Sequence, residues 1–354
     1  MKKLLWLVAL CAPLLCWAAP GDFVRGRVIN VQDSPQDKLF PDQIGQRISV
    51  RVLEGDKKGV TIEVPPSEVS IRSETQKLSA GDQIILTETE KGFGIFDRYR
   101  LPAIAWILAV FLAAVGFIGR WTGLRSMLGL LLSIGVIAKG IIPAILAGHS
   151  PLLVSLIGGF GIAGISIYLA HGFRKRTSIA VLSTILTLVL AFGISLVFVY
   201  GASLFGLGSE ESMYLQVGLG AGIDLRGLLL GAILIGTIGV LDDVTTTQVA
   251  AVDEVRKAQP NLGNKELYRR GFSVGREHIA SMINTLALAY VSTALPMFLL
   301  LAMNADRPLW VLLSSEFFAE EIVRTVAGSM ALIFAVPIST GLAAFFLGKK
   351  YETK

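Results

Sequence analysis

Hydrophobic and polar positions divide the chain into two parts with different periods. From residue 99 onward, apolar residues form long runs, each close to or above the roughly 20 residues that a helix needs to cross a bilayer. These runs cover residues 101–119, 127–147, 151–170, 178–205, 226–247, 281–303 and 322–346. The pattern predicts an α-helical polytopic membrane bundle of about seven transmembrane helices over residues 99–354.

Residues 20–98 show instead the alternation that is typical of a β-sheet. Segment 46–53 places Ile48, Val50 and Val52 on one face and polar residues on the other. Similar short runs, separated by Gly, Pro and Asp, lie at 23–31, 61–64, 83–89 and 93–96. Alternation bounded by turn residues favours antiparallel strands. Five or six strands in this length predict a small all-β barrel or sandwich, which we interpret as an extracytoplasmic domain.

The first residues have the organisation of a secretory signal peptide. Two lysines precede an apolar stretch of about 14 residues, which ends in small residues at Ala18 and Ala19. We therefore predict a signal peptide at 1–19, and the alternative is an uncleaved signal anchor. Both cysteines, Cys11 and Cys16, lie in this segment. Removal of the segment leaves a mature chain without disulfides or thiolate ligands.

The charges favour a defined orientation in a bacterial inner membrane. Of the 354 residues, 53% are hydrophobic and 17% are charged, with a net charge of +5. The basic residues cluster in alternate connections between the apolar runs, as the positive-inside rule predicts. This places the β-domain outside the cell membrane and the C-terminus in the cytoplasm. Because the basic residues follow the run ends, the positive charge does not indicate nucleic-acid binding.

Acidic and hydroxyl residues continue the fifth apolar run. Asp242 and Asp243 are followed one helical turn later by Thr246 and Thr247, and the next helix breaker is Pro260. An ionisable group within a span is costly and therefore a candidate for function. Carboxylate and hydroxyl oxygens suit small cations or protons. The alternative interpretation is that the membrane ends before these residues and that the acids lie in water.

The next long run adds polar residues at the same predicted depth. Glu277 and Asn284 share a helical face, and we expect them to form a polar chamber with Asp242 and Asp243. Alternatively, Glu277 only marks the interfacial end of its helix. Lys139 lies in the middle of the second run, where it either pairs with an acid as a counter-charge or extends to an interface.

Glycines within the spans predict close helix packing. Gly227 and Gly231 form a GxxxG pair, and small residues at this spacing let helix backbones approach each other in lipid. We predict a packing role for both residues, with contact to a substrate pathway as the alternative.

Several function classes lack their sequence signals. The chain has no GxxxxGK[ST] nucleotide-binding loop and no HExxH motif, and it has only three histidines. We therefore predict no catalytic residues, no metal site and no cofactor, and we do not expect an enzyme.

The chain resembles the YibE/F-like membrane proteins over nearly its whole length, and its second half is the specific part. The resemblance depends on three segments, GTIGVLDDV at 236–244, GFSVGREHI at 271–279 and NTLALAYVSTALP at 284–296. In that family a Gly-rich span leads into an Asp followed by small residues, and an Asn-Thr-rich span comes later. The resemblance implies a polytopic membrane protein with an exported domain.

Two hypotheses for function follow from this organisation. The first is a secondary transporter or channel-like permease, which contacts membrane lipids and conducts a small solute or ion along the polar residues. The second is an envelope assembly protein or scaffold, in which the β-domain binds an envelope protein and the helices only anchor it. A membrane enzyme comes third.

Overall fold

The computed structural model describes residues 23–34, 45–64, 77–89, 92–218, 222–303 and 308–348. The predicted signal peptide at 1–19 lies outside the described residues, as do both cysteines. The chain divides into two compact units, Met1–Phe117 and Ile118–Lys354. Each unit is described by itself below.

The first unit contains an antiparallel sheet of five strands in the described residues. Its strands lie in the order β3-β2-β1-β4-β5. The two outer strands, β3 and β5, also contact each other, so the sheet curls into a half-barrel. The strands are β1 (Phe23–Ser34), β2 (Gly45–Val52), β3 (Thr61–Val64), β4 (Gln83–Thr89) and β5 (Gly92–Arg98).

The alternation of the sequence explains which face of the sheet is buried. Ile48, Val50 and Val52 are fully buried, as predicted, and they pack with Val28 and Leu86 in the core of the half-barrel. The intervening Arg residues of β2 are exposed. The register is fixed by this pattern, because a slip of one residue would exchange the two faces.

The remaining described residues are almost entirely helical. We number the helices α1 to α10, and a π-helical turn at Ile137–Ile141 joins α1 to α2. The helices are α1 (Leu101–Val136), α2 (Ile142–Leu146), α3 (Pro151–His171), α4 (Lys175–Gly201), α5 (Glu210–Gly218), α6 (Leu225–Ala258), α7 (Asn264–Thr293), α8 (Leu295–Met303), α9 (Leu309–Leu313) and α10 (Glu316–Leu347).

Five helices in the described part of the chain are long and apolar enough to cross a membrane. The count rises to six if α7 and α8, which are bent by 60° relative to each other, form one span. Two predicted runs, 101–119 and 127–147, join into one helical stretch of 46 residues, Leu101–Leu146. Forty-six residues correspond to about 69 Å of ideal helix, roughly twice the thickness of the hydrocarbon core. Its backbone leaves the helical region at Arg120 (φ 50°, ψ −137°), within the predicted connection. Seven spans therefore stay a prediction.

Helix α6 lies at the centre of the second unit. It packs against α3, α4, α7 and α10, and its residues Leu234, Ile238 and Leu241 belong to the main apolar core. Gly231 lies directly against Ser155 of α3, where a larger residue would not fit. Gly227 follows the N-cap of α6 and donates its N–H to Asp224 Oδ1 at 2.9 Å. The two predicted packing glycines thus have different surroundings.

The two ends of this helical unit differ in charge. At one end, Lys175 at the start of α4 donates to the carbonyl oxygen of Phe346 in α10 at 2.7 Å. The same end carries the basic α3–α4 connection and the basic C-terminal turn of α6. At the other end, Glu316 and Glu320 of α10 accept from backbone N–H groups of the α4–α5 connection. We call these the basic end and the acidic end.

Candidate polar cavities around helix α6

Asp242 and Asp243 lie within a helix that has no break. Helix α6 runs for 34 residues from Leu225 to Ala258, so the acids and the threonines that follow them share one helical surface, as predicted. Thr246 Oγ1 donates to the carbonyl oxygen of Asp242 at 2.7 Å. Thr247 Oγ1 lies 3.5 Å from Asp243 Oδ1, a long contact.

Asp242 faces a cavity of about 350 Å³ between α1, α3 and α6, which we call the first cavity. The side chain is half-buried, and its Oδ1 atom is buried without a hydrogen-bond partner in the described structure. Apolar residues form most of the wall, and hydroxyl groups of Ser126, Ser133 and Ser166 line it as well. The cavity therefore presents a carboxylate and several hydroxyls inside an otherwise apolar bundle.

A second cavity, of about 250 Å³, continues from the first toward the basic end. His171, Asp243 and Thr246 line both cavities. Arg176 and Thr177 of α4 and Thr247 of α6 line only the second one. The two cavities together form a polar surface along α6 that leads from Asp242 to the start of α4.

The acids of α6 differ in their charge partners. Asp253 is buried and forms ion pairs with Arg256 at 3.0 Å and Lys257 at 3.0 Å, and Glu254 pairs with Lys257 at 2.6 Å. Among the residues that the structure describes, neither Asp242 nor Asp243 forms an ion pair. The predicted acidic stripe therefore divides into an ion-paired half near the end of the helix and a half at the cavities without ion pairs, in which Asp242 is half-buried and Asp243 is exposed.

Three predicted site residues do not line these cavities. Glu277 and Asn284 of α7 are exposed, and Lys139 is exposed on the π-helical turn. The polar space around Asp242 lies between α6 and α3, not between α6 and α7 as expected. Spacing along a helix assigns a residue to a face but does not identify the neighbouring helix on that face.

The packing of the first half of α7 explains why the expected chamber does not form between α6 and α7 near Asp242. Gly271 and Gly275 let α7 lie directly on α6 and α10, against side chains such as Val252 and Val336. Gln248 of α6 fills the remaining space and is 4% exposed. Its Nε2 donates to the carbonyl oxygen of Gly271 at 2.9 Å and to Thr340 Oγ1 at 2.7 Å. This interface is closed by a satisfied polar network.

The sequence reasoning missed most of the residues that surround the acids. Ser126 and Ser133 are seven residues apart and fall on one face of α1, and Ser166 is one of two serines in the apolar helix α3. Serines at such positions indicate a cavity only weakly, because a serine hydroxyl often donates to the backbone of its own helix. Ser133 Oγ, for example, donates to the carbonyl oxygen of Gly129 at 2.9 Å. Arg176 and Thr177 were assigned only to a basic connection.

The cavities do not have the composition of a metal centre. Within the described ranges, no three His, Cys, Asp or Glu residues lie close enough together to hold a metal ion. Two carboxylates, one imidazole and several hydroxyls are suited to weak binding of a hydrated cation, a proton or a polar solute.

Comparison with known proteins assigns the chain to a family. A family model described as YibE/F-like protein matches residues 107–349, more than half of the chain and all of the residues that line the two cavities. No curated protein and no solved structure matches the chain. The family that the sequence motifs suggested is confirmed, and with it a membrane protein built from several apolar helices. The chain belongs to the YibE/F-like family.

Proposed function

We propose that this protein is a permease, a secondary transporter or channel-like protein, that moves a small solute or ion across the bacterial cytoplasmic membrane. The proposal depends on the surroundings of the Asp242 carboxylate. Its Oδ1 atom is buried without a partner at the wall of a cavity inside an apolar helical bundle. Asp243, Thr246 and Thr247 extend the same surface into the second cavity.

The cost of a buried carboxylate supports this proposal. Moving a charged group out of water is unfavourable unless a partner compensates for the lost hydration. Among the described residues no cation pairs with Asp242, so the compensating charge has to come from solution as a bound ion or proton. Polar and ionisable residues within membrane helices often mark such pathways.

The proposed orientation follows from the charges at the two ends. The basic end carries Arg174, Lys175 and Arg176, and basic connections favour the cytoplasmic side. If the stretch Leu101–Leu146 crosses the membrane twice, as its two predicted runs require, the β-domain is extracytoplasmic, in agreement with the predicted signal peptide. In this orientation the second cavity opens toward the cytoplasm.

Flux measurements test the permease proposal. Asp242→Asn and Asp243→Asn are expected to lower uptake at least about tenfold, because an amide neither titrates nor compensates a cation. Wild type and variants are reconstituted into proteoliposomes, and uptake of protons, Na⁺ and K⁺ is measured with ion-sensitive dyes.

Glu254→Gln is the matched control, because Glu254 lies on the same helix outside both cavities and is expected to retain wild-type flux. Equal flux for wild type and both aspartate variants, with all proteins folded, would contradict the proposal.

A surface feature of the β-domain favours the second hypothesis, an assembly role. Phe23 and Phe96 are 53% and 64% exposed, and their rings contact each other with centroids 5.0 Å apart. Paired exposed aromatics are typical of interface anchors. A permease can also carry such a partner-binding domain. If the assembly role is the main function, Phe23→Ser removes function and Asp242→Asn leaves it intact.

A further inference from the structure

The second cavity contains groups that a cation pathway does not need. Arg176 and Thr177 of α4 line it, and His171, the last residue of α3, lies beside them. These groups are hydrogen-bond donors, and Arg176 carries a permanent positive charge. Their arrangement points to an anionic ligand at the end of the cavity that is nearest to α4.

Thr177 provides an observation that is independent of charge. The residue is 2% exposed, yet its Oγ1 atom has no hydrogen-bond partner in the described structure. A buried hydroxyl without a partner destabilises the folded protein by about 1–3 kcal/mol. Because Thr177 lines the second cavity, a ligand in that cavity is well placed to accept this hydrogen bond.

The start of α4 adds a third contribution. Helix α4 has 27 residues, and its N-cap residue, Arg174, makes no side-chain capping hydrogen bond. The first-turn N–H groups therefore lack the side-chain acceptor that commonly satisfies one of them. The N-terminus of a helix favours negative charge, and Thr177 belongs to this first turn.

Asp243 restricts the type of anion. Asp243 and Arg176 line the same cavity, but they form no ion pair with each other in the described part of the chain. A ligand between them has to accept hydrogen bonds from Arg176 and donate one to the carboxylate of Asp243. An oxyanion that retains a hydroxyl group satisfies both requirements.

We propose that the second cavity binds a protonated oxyanion, with inorganic phosphate as the simplest example. Its charged oxygens accept from Arg176, Thr177 Oγ1 and the start of α4, and its P–OH group donates to Asp243. Sulfate has no hydroxyl at neutral pH, so it leaves Asp243 facing a negative oxygen. The proposal that phosphate is moved by the protein rests on the permease function, whereas the binding itself does not.

The same chemistry has two sources, free phosphate and the phosphomonoester headgroup of phosphatidic acid, which also retains a P–OH group. In one arm of the experiment, full-length protein in phosphatidylcholine nanodiscs is titrated with ³²P-labelled inorganic phosphate. In the other arm, native mass spectrometry of protein from membranes that contain phosphatidic acid counts the retained molecules of that lipid.

Three variants and one control test whether phosphate binds at this site. Arg176→Gln and Thr177→Val are expected to weaken phosphate binding at least about tenfold, whereas Arg269→Gln, an exposed charge outside the cavity, leaves binding unchanged. Sulfate is expected to bind at least about tenfold more weakly than phosphate to wild type. Asp243→Asn is expected to reduce the difference in affinity between phosphate and sulfate to about threefold or less. The side-chain amide of Asn can donate a hydrogen bond to sulfate, which the carboxylate of Asp243 cannot do.

Thermal stability separates loss of the site from loss of the fold. Without phosphate, Thr177→Val is expected to be at least as stable as wild type, because the substitution removes a buried hydroxyl that has no partner. Retained phosphatidic acid that disappears in Arg176→Gln supports the same site with a lipid phosphomonoester as its ligand.

The proposal is overturned if neither free phosphate nor phosphatidic acid shows a dependence on Arg176 and Thr177. It is also overturned if sulfate binds to wild type as well as phosphate does. These outcomes differ from a failure of the permease proposal, which is equal cation flux in wild type and the Asp242→Asn variant.

Discussion

Replacing Gly206 with alanine is expected to destabilise the folded protein by about 3–4 kcal/mol. The residue has φ +86°, a left-handed conformation that costs about 1–2 kcal/mol for a residue with a Cβ. An added Cβ would also overlap the backbone carbonyl of Leu225 at the start of α6, and such overpacking adds about 1–3 kcal/mol. The measurement is the thermal midpoint of the purified protein in detergent, compared with wild type.

Gly148 provides the matched control for this prediction. It also has a positive φ, +89°, but nothing lies within 4 Å of the position that its Cβ would occupy. Gly148→Ala is therefore expected to cost only about 1–2 kcal/mol, from the backbone alone. Equal losses at the two positions would show that the approach of Leu225 to Gly206 is not important.

The close contact between Gly206 and the backbone of Leu225 matters because it fixes the connection between α4 and α6. Arg226 Nε donates to the carbonyl oxygen of Leu204 at 2.7 Å, and its guanidinium lies over the rings of Tyr200 and Phe205. Glu320 accepts from the N–H of Gly208 at 2.8 Å. A shift at Gly206 is therefore expected to loosen the acidic end of the bundle as a whole.

Replacing Gly275 with leucine is the second substitution with a large expected effect, about 3–5 kcal/mol of lost stability. A side chain at this position meets Val336 of α10 and the amide of Gln248. The loss combines overpacking with disruption of the hydrogen bonds of a buried amide, each of which costs about 1–3 kcal/mol. Residual folded protein after titration with a denaturing detergent measures the effect.

Gly193→Leu in α4 is the control for Gly275→Leu. No atom lies within 4 Å of the Cβ position of Gly193. Removal of a glycine from the interior of a helix is expected to be neutral or favourable by up to about 1 kcal/mol. If Gly193→Leu and Gly275→Leu lose the same stability, the direct packing of α7 on α6 and α10 does not stabilise the bundle.

The β-domain could be predicted closely because its signal is local. Alternation at Ile48, Val50 and Val52 identifies both the strand and its buried face, and the turn residues set the strand limits. The half-barrel shape was harder to predict from the sequence, because contact between β3 and β5 depends on the curvature of the whole sheet.

The candidate site could be predicted only along one helix. Asp242, Asp243 and Thr246 are close in sequence, so their common surface on α6 followed from helical spacing. Their neighbours Ser166 and Thr177 come from other helices, and a single sequence contains no pairing signal for lipid-facing helices. The expected partners Glu277 and Asn284 do not meet Asp242 because they lie on exposed positions of α7, whereas its buried positions Gly271 and Gly275 pack on α6 and α10.

The position of Asp242 and Asp243 within α6 has a consequence for biosynthesis. An aspartate at the centre of an isolated helix opposes insertion by the translocon by about 2.5–3.5 kcal/mol. Because α3, which lines both cavities, and α4, which lines the second, precede α6 in the chain, we expect α6 to enter the lipid together with them as a group. The first helical stretch, whose most apolar window has no residue buried within the protein, is able to partition alone.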